Sequence, residues 1–124
     1  YGGFDTTLGR VGGKLTGGEE SDLFERLAND GVEFWYVPDA IIYHIIAKEK
    51  LNSDYFKRLS YNTGVSQHHR AALHNRVIRF LFSEVVKWGV TLALALYYIL
   101  TLRPSKGWWL LKMRYYITQG ILDK

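Results

Sequence analysis

Three carboxylates cluster at Glu19, Glu20 and Asp22, with Arg26 shortly after them. A carboxylate can take the proton from a hydroxyl as that hydroxyl attacks carbon, which is the work of a general base. At relative positions i, i+1 and i+3 the three cannot share one helix face, so at most two point into one site. Acids in a first helical turn also serve as plain capping groups. Ahead of them, Gly2-Gly3-Phe4-Asp5 joins glycines that permit close backbone approach to an Asp able to bind hydroxyls or to cap a turn. Downstream, His44 offers an imidazole suited to a divalent cation such as Mn²⁺, or, as is common for a strand His, to a core hydrogen bond. His68, His69 and His74 have no i, i+4 pair among them and no neighbouring carboxylate, so they do not read as a metal site.

The elements that must position these groups can be read from pattern. Residues 1–18 hold seven glycines and read as a loop, with one helical turn after Gly3. A helix starts at Glu19, carries the stripe Leu23, Phe24 and Leu27, and stops at Asn29-Asp30-Gly31. Residues 33–37 and 40–46 are aromatic or β-branched around a Pro38-Asp39 turn and read as a pair of strands, the second buried and bearing His44. Asn52 or Ser53 caps a further helix with Tyr55, Phe56, Leu59 and Tyr61, finishing near Gly64.

From about Arg70 the chain changes character. Arg76, Arg79, Ser83, Lys87 and Thr91 recur on one helical face, opposite Ile78, Leu81, Phe82, Val85 and Trp88. Trp88 to Leu102 is a run of 15 uncharged residues, about 22 Å of helix against the roughly 30 Å of a bilayer core. Interfacial helices are therefore expected rather than a simple span. After Arg103-Pro104, residues 106–124 read as a second helix in which Trp108, Trp109, Tyr115 and Tyr116 mix with Lys112 and Arg114, the composition of a membrane interface.

At 124 residues, 48% apolar and 15% aromatic, the chain has material for one core and is not a disordered tail. The absence of cysteine excludes disulfides and thiolate metal sites. Residues 1–60 carry 7 Lys/Arg against 10 Asp/Glu and residues 61–124 carry 9 against 2, so the net +4 conceals an acidic half and a basic one. A basic half rich in aromatics takes an anionic partner, phospholipid or nucleic acid. No Walker or dinucleotide phosphate loop and no nucleophile elbow occurs. The chain begins at Tyr1 and its single methionine is Met113, so it reads as a piece of a longer protein.

Taken in order, Gly2-Gly3-Phe4-Asp5, Gly18-Glu19-Glu20-Ser21-Asp22-Leu23 with Arg26, and Tyr36-Val37-Pro38 leading to His44 resemble the C-terminal half of the catalytic domain of family 2 glycosyltransferases. The resemblance covers about residues 1–66. It implies an α/β fold, the acceptor-side half of a glycosyltransferase-A type domain (1–66), followed by long amphipathic and hydrophobic membrane-associating helices (67–124). It implies an inverting transfer from a nucleotide-sugar donor to a lipid-linked or polysaccharide acceptor, with a Mg²⁺ or Mn²⁺ cofactor, in envelope polysaccharide or glycolipid synthesis. By the same resemblance Glu20 is the catalytic base, Glu19 and Asp22 support it, Gly2, Gly3, Phe4 and Asp5 border the acceptor, and His44 approaches the metal and diphosphate. Glu20 departs from the Asp found at that position, moving the carboxylate by about 1.5 Å, enough to matter for catalytic geometry. The donor-binding half is implied upstream of Gly2, and without it these residues are expected to be inactive. Gln67-His68-His69-Arg70 is similar to the Gln-x-x-Arg-Trp of processive synthases, but Ala71 stands at the Trp position, and the processive reading is set aside.

The expected site of action is the cytoplasmic face of a membrane, peripheral or partly inserted, with an anionic lipid surface as partner and no nucleic acid. The rival reading is a non-enzymatic membrane- or nucleic-acid-binding module. Against nucleic acid, the basic residues share a helix with Val85 to Leu102, which is more apolar than such a partner requires.

Overall fold

The computed structural model describes residues 1–9, 15 and 17–123, and among them the regular elements are all helical. Helix α1 spans Glu19–Asn29, a short 3₁₀ turn Lys48–Lys50, α2 Ser53–Leu73, α3 Val77–Leu100 and α4 Pro104–Leu122. The expected α/β architecture is thus corrected to an all-α one of four helices. Residues 33–37 and 40–46 form no strand, and Trp35 and Ile42 are 82% and 89% exposed. A strand exists only as a member of a ladder, and no described segment lies beside this one to complete its hydrogen bonds.

The helix ends follow from local chemistry. The Asn52 side chain accepts from the Tyr55 N–H at 2.7 Å and donates to the Glu49 carbonyl at 2.7 Å, starting α2. Pro104 occupies the first turn of α4, where its missing N–H costs nothing. Helices α1, α2 and α3 close with one device. A left-handed residue (Gly31, Asn75 or Leu102) lets the next N–H reach back to the carbonyl of Leu27, Ala71 or Tyr98. Gly and Asn tolerate that backbone; Leu102 does so at a cost of about 1 kcal/mol.

Helix α2 runs nine residues beyond Gly64, because that glycine serves a helix crossing rather than a stop. A Cβ on Gly64 would strike the Ile117 carbonyl, and one on Gly120 would strike the Tyr61 carbonyl, so α2 and α4 touch backbone to backbone. Gly107 brings α4 near Ala95 of α3 less tightly, the Ala95 carbonyl oxygen being 3.1 Å from where a Cβ would stand. The expected domain boundary at residues 66/67 falls inside α2.

Helix α3 has inverted polarity. Its buried residues are Glu84, Thr91 and Ala95, whereas Ile78, Phe82, Val85, Val90, Leu96 and Ile99 are exposed. Of the face Arg76, Arg79, Ser83, Lys87 and Thr91, Thr91 is buried against α4, where Arg114 Nε donates to its hydroxyl at 3.4 Å, while Arg76 and Arg79 are exposed. Glu84 accepts from Lys87 and from Arg114 Nη1 of α4 (3.0 Å), and the Trp88 indole donates to Thr118 Oγ1 at 2.9 Å.

Candidate functional site

Asp22 is the centre of the best-organised polar cluster. It faces inward from α1 and is 3% exposed. Arg26, one turn later, donates from Nε to Asp22 Oδ2 at 2.9 Å, and His74 Nε2 lies 2.7 Å from Oδ1. Burial pushes the Asp22 carboxyl up, but the hydrogen bonds from His74 and Arg26, with the Arg26 charge, outweigh that and hold it below the ordinary carboxylate value.

The rest of the Arg26 guanidinium holds the N-terminal loop. Nη2 donates to the Gly3 carbonyl at 2.6 Å and Nη1 donates to the Tyr1 carbonyl. Gly2 and Gly3 both have positive φ, 74° and 70°, a backbone that L side chains rarely adopt, so glycine is required where the loop offers its carbonyls to Arg26. Asp5 closes a turn over Thr6–Leu8, accepting from the Thr7 N–H at 2.8 Å and the Thr7 hydroxyl at 2.6 Å; those bonds lower its carboxyl below the usual range. The loop and α1 enclose a pocket of about 310 Å³ lined by Gly2, Gly3, Asp5, Asp22, Arg26 and His74 with Leu73. A pocket of about 260 Å³ lies between the α1 N-terminus and α2, bordered by Gly18, Ser21, Ser66, Gln67 and Arg70. There the Gly17 N–H donates to Ser66 Oγ at 3.1 Å.

The structure brings Gly2, Gly3, Asp5 and Asp22 to one pocket. Phe4 is exposed. Glu19 sits in the first turn of α1 with Oε2 buried and unpartnered among the described residues. Glu20 is exposed in the same turn, and about 200° of helical rotation separates it from Asp22. His44 is exposed in the irregular segment ahead of the 3₁₀ turn. Among the described residues no three His, Asp or Glu side chains gather as a cation site, so His44 belongs to no such cluster. Sequence spacing offered no signal for His74 as the partner of Asp22, since the two meet only through the docking of α1 against the end of α2.

No protein-family model, no curated protein and no solved structure matches the chain.

Proposed function

We propose that these residues form the acceptor side of an inverting glycosyltransferase working at the cytoplasmic face of a membrane, moving a sugar from a nucleotide diphosphate to the hydroxyl of a lipid-linked or polysaccharide acceptor. The supporting observation is the Asp22–Arg26 clamp on the Gly2-Gly3 loop. Two motif pieces far apart in sequence, each weak alone, are joined by hydrogen bonds that need those residue types. In this reading Asp22 and Arg26 are positioning residues. They fix the first turn of α1, from which the exposed Glu20 carboxylate takes the acceptor's proton. The pocket bordered by Gly2, Gly3 and Asp5, on the Asp22 side of α1, holds other hydroxyls of the acceptor, and the hydroxyl that reacts lies on the Glu20 side.

The membrane part of the reading rests on α3. Its 24 residues make about 36 Å of helix, and by length and composition it can cross a bilayer. Its Glu84 and Thr91 turn toward Arg114 of α4 and its aliphatic groups outward, the arrangement favoured where the surroundings are lipid.

The test is made in a protein carrying these residues together with a donor-binding half. Glu20→Gln is expected to lower turnover at least about 100-fold with the nucleotide-sugar KM nearly unchanged. Turnover near wild type would remove Glu20 as the base and the transferase reading with it, leaving a membrane-binding helical module.

A further inference from the structure

Two cavities meet at the start of α3 and differ in kind. The first, about 280 Å³, is bordered by Arg70, Arg76, Arg79, His74 and Gln67, with Glu25 as its one acid. Arg76 is committed to Glu25 in an ion pair, and His74 to Asp22. Arg70 and Arg79 have no partner among the described residues, so the pocket keeps two guanidinium groups whose charge nothing beside them balances. Gln67, whose Oε1 is buried without a hydrogen-bond partner among the described residues, borders both this pocket and the 260 Å³ one. The second cavity, about 800 Å³, is an open groove along Val77, Ile78, Phe82 and Ala72. Arg76 and Arg79 border both.

We propose that the paired cavities bind one lipid phosphate, with the headgroup oxygens on Arg70 and Arg79 and an acyl chain along the Val77–Phe82 groove. Planar guanidinium forks match phosphate oxygens. A soluble phosphate would fill the first cavity and leave the groove idle. A lipid phosphate uses both, and the junction lies in the first turn of the helix long enough to cross a bilayer, at the depth where headgroups sit. The site rests on the membrane side of the reading above and not on sugar transfer.

Calorimetry on the whole protein in uncharged detergent micelles tests it, with dihexanoyl phosphatidic acid, inorganic phosphate and dihexanoylglycerol as separate titrants. The lipid phosphate is expected to bind at least about tenfold tighter than either other compound. Arg70→Gln/Arg79→Gln is expected to weaken it by about tenfold or more, while Lys48→Gln/Lys50→Gln, an equal charge loss outside the pocket, leaves it within about twofold. Inorganic phosphate binding as tightly as the lipid, no lipid binding, or equal losses in the two double variants would each overturn the site. Should the arginine variant lose its helical signal, hydrogen exchange of the wild type decides: new protection confined to residues 70–83 on adding lipid supports the site, and uniform or absent protection sinks it. No arm measures transfer, so failure here leaves the Glu20 test standing.

Discussion

Residues 1–50 and helices α2 to α4 hold their places by different physics. The N-terminal region is tied to the helices by polar contacts: Asp22 to His74, Glu25 to Arg76 and the Gly17 N–H to Ser66. Its buried apolar anchor is Leu8, and its aromatic contact Phe24 on Phe34 stays within the region. Helices α2 and α4 meet at Gly64 and Gly120 with backbone on backbone, and Phe56 packs edge-on to Trp109 at 5.0 Å. Polar ties are directional and sensitive to charge state; glycine crossings are sensitive to volume. The two regions should therefore fail under different perturbations.

The largest effect is expected at the crossing. Gly120→Leu puts a branched side chain where the Tyr61 backbone already stands, and no rotamer removes the clash at the first carbon. A loss of about 3 kcal/mol or more is expected in chemical unfolding, read by Trp109 fluorescence. The Asp22 clamp should survive in the folded fraction, seen as unchanged amide signals for Gly2 and Gly3. Coincident loss of those signals would show that the two regions are one cooperative unit.

Next is the charge inside the α3–α4 pair. Arg114→Met leaves Glu84 buried with only the half-exposed Lys87, and about 2–3 kcal/mol should be lost. Adding Glu84→Gln should restore most of that, because the cost lies in the uncompensated carboxylate and not in the missing bond. Without recovery in the double variant, Arg114 acts through packing alone.

The sequence made some of this visible for physical reasons. Helix α1 is written in its acids and its Asn29-Asp30-Gly31 stop, and the helical tail in its spacing, since those signals are local. The segment 33–46 misled because β-propensity reports what a side chain prefers once a neighbouring strand exists, and none lies beside it here. Gly64 read as a helix end because a glycine at a crossing and one at a stop look alike until the second helix is placed. The Gly2–Asp5 and Asp22–Arg26 pieces of the site were legible as residue types. His74, which completes the Asp22 clamp, was not, and neither was the pairing of Glu84 with Arg114.

The clamp should answer to pH where the crossing does not. The folded-state value of Asp22 lies below its unfolded one, so its contribution is fully present above about pH 4 and is lost as pH falls through the lowered value. Wild-type Gly2 and Gly3 amide shifts should move toward loop positions in that acid range while Trp109 fluorescence holds. Asp22→Asn should show the released positions at neutral pH, at a cost of about 2 kcal/mol. An acid transition retained in Asp22→Asn would assign it to another carboxylate.

The smallest effect separates the two side-chain pairs that join the regions. Asp22 with His74 is buried on the acid side, whereas Glu25 and Arg76 keep 31% and 45% of their side chains in solvent. Solvent screens the outer pair and leaves both long side chains with entropy to lose on pairing, so a double-mutant cycle of Glu25→Gln and Arg76→Gln should return about 0.5 kcal/mol. Raising the salt to about 1 M shrinks the screening length to about 3 Å and should erase that coupling, while the inner pair, away from mobile ions, keeps most of its own. If instead the outer coupling persists in salt, Glu25 and Arg76 are held more rigidly than their exposure indicates. The basic pocket they border would then be a fixed cradle and not a surface that forms when its ligand arrives.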